Sequence, residues 1–175
     1  MVILVNENDL PIGRMRKLEA HEKGCLHRAF SVFIFNTKGE CLLQKRAIHK
    51  YHSGGLWTNT CCSHPSPGQS TLDAARYRLQ MEMGIDAPLK YVRKFLYRSP
   101  FENGLTEHEI DHIYIGRTDD KPTINPDEVS AYKYMPLNEI LADMERHPQN
   151  YTTWFRIISA NFLSELSVYS KNDRL

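Results

Sequence analysis

Long apolar runs are missing from this sequence. No stretch approaches the roughly 18 apolar residues of a membrane span, so no membrane-crossing helix is expected. An excess of one charge is missing too: Lys and Arg total 22 against 21 for Asp and Glu, a formal charge of +1. No whole-protein field then favours nucleic acid or a membrane surface, and any anion must be bound by a local cluster. Cysteine is sparse, with Cys25, Cys41, Cys61 and Cys62. Two of these are adjacent, and the opening MVILVNENDLPIG lacks a basic n-region and turns polar after five positions. It reads as a short strand and turn rather than a secretion signal. A disulfide framework is therefore not expected, and a reducing cytoplasm is. Repeats, low-complexity tracts and Pro/Gly linkers are also absent, which leaves residues 1–175 as a single compact domain.

What is present alternates strand and helix signals. Leu26–Phe35 and Glu40–Lys45, joined by Asn36-Thr37-Lys38-Gly39, predict a hairpin. From Lys50 to Gly68 the Gly, Pro, Ser and Asn content predicts a long irregular segment of the kind that carries function. Ser70 or Thr71 caps a helix that runs through Leu72, Ala75, Leu79 and Met83 and stops at Gly84. Tyr91–Tyr97 and Thr106–Arg117 read as strands around Pro100-Phe101-Glu102-Asn103-Gly104. After about Pro136 the chain turns helical to near residue 170, with helices expected at Leu137–Arg146 and Thr153–Val168. The fold class is α/β or α+β, a mixed sheet flanked by helices.

Alternation along Thr106–His112 sends Glu107, Glu109 and Asp111 to one face and His108, Ile110 and His112 to the other. A solvated strand face explains such charges equally well. With His21, His27 and His64 the two glutamates form a mixed N/O donor set suited to Mn²⁺ or Zn²⁺ with more than four ligands. Spacing alone does not join positions so far apart. Cys25-x-His27 with Cys62-x-His64 offers a competing Cys₂His₂ zinc site, although it lacks the usual cysteine knuckle. Cys61 and Cys62 also read simply as core residues.

The string Trp57-Thr58-Asn59-Thr60-Cys61-Cys62-Ser63-His64-Pro65 resembles the cysteine motif of type I isopentenyl-diphosphate isomerases, a family of the Nudix superfamily. Tyr97-Arg98 through Gly104 with Glu107-His108-Glu109 is similar to that family's second motif, and Tyr151-Thr152-Thr153-Trp154-Phe155 to its tryptophan segment. Lys17-Leu18-Glu19-Ala20-His21 and Leu26-His27-Arg28-Ala29-Phe30 resemble its opening, so the likeness runs in order from near Val2 to near Leu166.

The resemblance implies a Nudix-like sheet. It implies one divalent ion, Mn²⁺ or Zn²⁺ (or Mg²⁺), on His21, His27, His64, Glu107 and Glu109. It implies Cys62 and Glu109 as the catalytic pair, with Tyr97 assisting Glu109. A second ion, Mg²⁺, is implied between Glu82, the Cys62 carbonyl and the substrate diphosphate, with Lys17, Arg46, Lys50 and Arg78 contacting that diphosphate. Arg forks and Lys point charges suit phosphate, while ordinary surface solvation is the bland reading of the same four cations. Trp154 is expected to face a carbocation by cation–π attraction, or else to be core. The implied reaction interconverts isopentenyl and dimethylallyl diphosphate by adding one proton and removing another. The partner is thus a small diphosphate, with no nucleic acid or membrane, in a monomer or weak homodimer.

The hydrolytic Nudix box, G-x5-E-x7-R-E-U-x-E-E-x-G-U with U bulky and apolar, aligned on Gly84 places Ser63, Gln69, Tyr77, Arg78, Leu79, Met81, Glu82, Gly84 and Ile85 at its marked positions. Leu79, Glu82, Gly84 and Ile85 keep the pattern. One surviving Glu holds one Mg²⁺ but not the multi-metal centre that activates water. A diphosphate hydrolase and a catalytically inactive metal-binding module are the competing readings.

Overall fold

The computed structural model describes residues 1–50, 52–101 and 104–171. Tyr51, in the segment expected to be irregular, and Glu102 and Asn103, in the connection after Pro100, lie outside the described residues. Strands β1 (Val2–Val5), β2 (Pro11–Met15), β3 (His27–Phe35), β4 (Glu40–Arg46), β5 (Trp57–Thr58), β6 (Cys61–Ser63), β7 (Leu89–Pro100), β8 (Thr106–Arg117) and β9 (Val129–Pro136) make one mixed sheet. Helix α1 (Lys17–Lys23) follows β2, α2 (Thr71–Met83) follows β6, and α3 (Leu137–Arg146) and α4 (Thr153–Lys171) close the chain. Among the described residues no helix is long and apolar enough to cross a membrane.

Strand β3 organises the sheet. Along one edge it runs parallel to β8, from His27 beside Glu109 to Phe35 beside Arg117. Its other edge receives three strands in turn: β1 at His27, β6 at Phe30–Val32 and β4 at Phe35. The expected β3–β4 hairpin forms, but its pairing is short. The turn forms, with Asn36 N–H donating to the Glu40 carbonyl, but the strands pair at Phe35 and Cys41 and then diverge, and β4 pairs instead with β9 and β5.

Divergence would orphan backbone groups in the core, which is costly. The Trp57–Thr60 segment satisfies them. Thr60 Oγ1 donates to the Leu42 carbonyl at 2.6 Å and accepts from Ile34 N–H at 2.9 Å, and Asn59 Nδ2 donates to the Val32 and Cys61 carbonyls. The wedge thus formed seats β6.

Period-two alternation divides the core between the two sheet faces. Phe30, Val32 and Ile34 pack with Leu79 and Met83 of α2. Phe33 and Phe35 pack with Ile140, Phe155 and Ile158 of α3 and α4. On this second face β3 carries His27, Ala29 and Ser31 above Phe33, and β8 carries Glu107, Glu109 and Asp111 above Ile113 and Ile115. Small residues beside carboxylates leave a cavity where the aromatic core stops.

Candidate active site

The cavity is lined by Lys17, Ala29, Ser31, Arg46, His52, Cys62, His64, Tyr97, Glu107, Glu109, Asp111 and Trp154, among others. Strand register sets its first row: Tyr97 of β7, Glu109 of β8 and His27 of β3 are neighbours across the sheet. On the next rung Asp111 sits beside Ala29, and Cys62 of β6 lies opposite Ser31. Because β6 alternates, Cys61 enters the α2-side core while its neighbour Cys62 lines the cavity.

Three imidazoles converge on Glu109. From its Oε1, His64 Nε2 is 2.9 Å away, His27 Nε2 3.3 Å and His21 Nε2 3.8 Å. His21 comes from α1, one turn after Lys17, whose carbonyl accepts its Nδ1–H at 2.8 Å. His27 Nδ1 donates likewise to the Cys25 carbonyl at 2.8 Å. Each ring therefore offers its Nε2 lone pair to the site, the tautomer that a metal-binding histidine uses. Donor atoms of His21, His27, His64 and Glu109 lie within 4.8 Å of one another. The buried Nδ1 of His64 has no hydrogen-bond partner. Burial pushes the His21 pKa down and that of His64 down to about 3, so both rings are neutral, as ligation requires. This donor set fits a divalent ion. Among the described residues the donor clusters contain no cysteine sulfur, so the Cys₂His₂ alternative is not assembled.

Tyr97 joins the two glutamates. Its hydroxyl lies 2.7 Å from Glu109 Oε2 and 3.0 Å from Glu107 Oε2. Burial, and then the neighbouring Glu109, pushes the Glu107 carboxyl well above the usual range. Burial and both glutamates keep the Tyr97 phenol protonated. Burial raises the Cys62 thiol to about 12 against the opposing charge of Arg46.

The four cations singled out in the sequence fall in one region. Lys17 lines the main cavity and, with Arg78, Ser63 and His64, the cleft beside it. Its pKa is lowered by burial and then by Arg46 and Arg78, and that of Lys50 by burial and then by Arg46, Arg78 and Lys17. The sequence reading missed Glu128, which pairs with both Lys50 and Arg78. Glu82, on α2, is buried, with one oxygen on Arg78 at 2.6 Å and the other on Gln44 at 3.0 Å. Tyr77 and Met81, at two glutamate or arginine positions of the hydrolytic box, are exposed. Trp154 is both core and cavity wall: it is 4% exposed, and Arg46 lies 5.1 Å over its ring. His52, also missed, stands in a segment without periodicity, and the sequence held no signal for it.

The NUDIX domain family matches residues 26–155. An isopentenyl-diphosphate Delta-isomerase from Pectobacterium atrosepticum is 55% identical, over 91% of this chain and 89% of that protein. Isopentenyl-diphosphate Delta-isomerase 2 of Aromatoleum aromaticum is 47% identical, over 93% and 89%. Among solved structures, one from Deinococcus radiodurans superposes with a TM-score of 0.72 at 18% identity, over 98% of this chain and 99% of that one. A MutT protein from Methanosarcina mazei gives 0.66 at 20%, over 81% and 95%. These distant structures establish the shared fold, and the close relatives establish something narrower: the chain belongs to the type I isopentenyl-diphosphate Delta-isomerase family within the NUDIX superfamily.

Proposed function

We propose that this protein interconverts isopentenyl diphosphate and dimethylallyl diphosphate for isoprenoid synthesis. The observation that carries the reading is that Cys62 on β6 and Glu109 on β8 line one cavity together with the indole of Trp154. The close relatives bear the corresponding name.

An unactivated alkene is a weak base, so its protonation needs a well-placed acid held out of water. We take Glu109 as that acid, its carboxyl protonated in the substrate complex, with the Tyr97 hydroxyl assisting from 2.7 Å. One proton passes from that side to the terminal alkene carbon, and the tertiary carbocation then loses one from the allylic carbon to the Cys62 sulfur. The reverse direction follows the same route. Burial holds Cys62 as the thiol in the free protein, so it takes that proton as a thiolate, its own proton having been given up to solvent before the site closes. The Trp154 face stabilises the cation without trapping it. Water is kept out by the start of α4, which is tied down where Thr152 N–H donates to the Trp57 carbonyl at 3.0 Å.

His21, His27, His64, Glu107 and Glu109 would hold the divalent ion, taken as Mn²⁺ or Zn²⁺ (or Mg²⁺). When bound it supplies positive charge that acidifies groups around the carboxylates. Lys17, Arg46, Lys50 and Arg78 would contact the diphosphate, and Glu82 and the Cys62 carbonyl would hold Mg²⁺, which would supply charge to neutralise it. The reading also takes residues 1–175 as one functional domain, acting in the cytoplasm as a monomer or weak homodimer, without nucleic-acid or membrane partners. Proton NMR of isopentenyl diphosphate with purified protein, Mg²⁺ and Mn²⁺ tests it: dimethylallyl diphosphate should accumulate to an equilibrium. Release of phosphate instead would make the chain a hydrolase.

A further inference from the structure

Residues 47–50 and 52–56 lie between β4 and β5, where hydrogen bonds close the connection at its base. Arg46 N–H donates to the Leu56 carbonyl at 2.9 Å and Gly55 N–H to the Arg46 carbonyl at 3.1 Å. Ser53 sits in the left-handed region at φ 52°, and a Cβ at Gly54 would strike the Ile48 carbonyl. A positive φ at a non-glycine residue is unfavourable and persists only where surrounding structure enforces it. Here the enforced bend turns His52 inward, to 9% exposure, instead of leaving a polar ring in solvent at a loop tip.

Inside, the His52 ring meets Phe101 at 5.6 Å, the Trp154 edge at 5.8 Å and His21 at 6.0 Å between centroids. Packing against Phe101 and Trp154 asks only for a flat ring, which Phe would supply. The position does more than packing requires. A His52 nitrogen, a His21 nitrogen and a Glu107 oxygen all lie within 4.8 Å of one another. His21 belongs to this trio and to the cluster around Glu109, so the two donor groups share a member and border one space. Imidazole with imidazole and carboxylate is a donor combination for Zn²⁺, Mn²⁺ or a related divalent ion.

We propose that His52 is a further ligand of the divalent ion, delivered from the bend at Ser53–Gly55 and acting with His21 and Glu107. The inference rests on the metal centre of the preceding section and adds a donor from outside the five residues assigned there. It also ties ion binding to the diphosphate region. Arg46 Nη2 lies 3.4 Å from the His52 carbonyl, so a shift of Arg46 reaches the His52 backbone.

The test uses the full chain without substrate. His52→Phe keeps a ring between Phe101 and Trp154 and removes the donor, and His52→Gln keeps polarity without an imidazole. Zn²⁺ and Mn²⁺ affinities are measured by chelator competition, the Co²⁺ adduct by visible absorption, and folding by thermal melts. Both variants should bind the ion about tenfold or more weakly, with a changed Co²⁺ spectrum and a cooperative melt. Parental affinity and an unchanged Co²⁺ spectrum in His52→Phe would overturn the proposal. His27→Ala is the reference: if it loses the ion while the His52 variants do not, only the His52 assignment fails. If His27→Ala keeps the ion, the metal centre itself is misplaced and the inference falls with it.

Discussion

Cys61 and Cys62 are consecutive in the chain yet belong to different environments: Cys61 is fully buried against α2, and Cys62 lines the cavity opposite Ser31. Strand alternation in β6 alone separates them. Cys62→Ala or Cys62→Ser should therefore remove most turnover, about a hundredfold or more for loss of a proton-transfer group, with metal content near that of the parent. Cys61→Ala should keep substantial activity, its deficit appearing as a lower melting temperature. Assay of both variants beside elemental analysis decides. Parental turnover in Cys62→Ala would remove it from the catalytic pair.

His27 and Glu107 approach the ion site from different strands, β3 and β8, and neither supports the aromatic core below. Each buried large apolar side chain there contributes about 1.5–3 kcal/mol. His27→Ala and Glu107→Ala should thus fold, bind less of the ion and lose activity. EDTA should abolish parental activity, and Mg²⁺ with Mn²⁺ or Zn²⁺ should restore it. Unchanged metal in both purified variants would refute the ligand assignment.

Arg78 bridges Glu82 at 2.6 Å and Glu128 at 3.0 Å, so its guanidinium is held at the rim of the Lys17 cleft. A lost charge-assisted hydrogen bond to phosphate costs about 1.5–3 kcal/mol. Arg78→Ala should raise KM for the diphosphate by about tenfold to a hundredfold with a smaller change in kcat. Glu82→Gln should chiefly shift the Mg²⁺ titration of activity. A KM and a Mg²⁺ curve both equal to those of the parent would leave this pair as a structural tie.

How far the sequence could be read depended on which signals were local. Helix α2 was legible from end to end because its stops are chemical: Ser70 accepts from Asp73 N–H, and Gly84 takes φ 66°. Strand β8 showed its site face by alternation alone. Helix α1 was not foreseen, for it has seven residues and no side-chain cap at its start. Strands β5 and β6 span two and three residues, held by Asn59 and Thr60 to strands far away in sequence. That the hairpin pairs only at its turn has the same reason: what splits β3 from β4 lies some 25 residues downstream. The convergence of His21, His27 and His64 on Glu109 likewise exists only in three dimensions, and family resemblance supplied what spacing could not.

The buried imidazoles give the metal-free protein an acid-sensitive stability. His64 falls from 6.5 to about 3 through burial, so between those values the unfolded chain takes up a proton that the folded one refuses. Stability from this site is complete above about pH 6.5 and is lost as pH falls toward 3. Melting temperatures of the EDTA-treated protein should decline across that window, and less steeply in His64→Asn. Identical slopes would show that His64 does not carry the effect.

Tyr97 separates two roles that the glutamates could otherwise share. Its hydroxyl contacts both carboxylates, at 2.7 Å on Glu109 and 3.0 Å on Glu107, while the imidazoles gather on the opposite oxygen of Glu109. Removing the phenol in Tyr97→Phe leaves the ring stacked on Phe95 and the ion donors in place. If the phenol only braced the ligands, the variant should lose metal and regain rate when ion is added in excess. If it feeds the incoming proton, metal affinity should stay within a few-fold of the parent while kcat falls by about a hundredfold or more, with KM little changed and no rescue by added ion. Turnover in deuterated water adds a second readout, since a slower proton delivery should enlarge the solvent isotope effect. Full rescue by excess ion would reduce Tyr97 to a ligand brace and leave Glu109 as the sole acid.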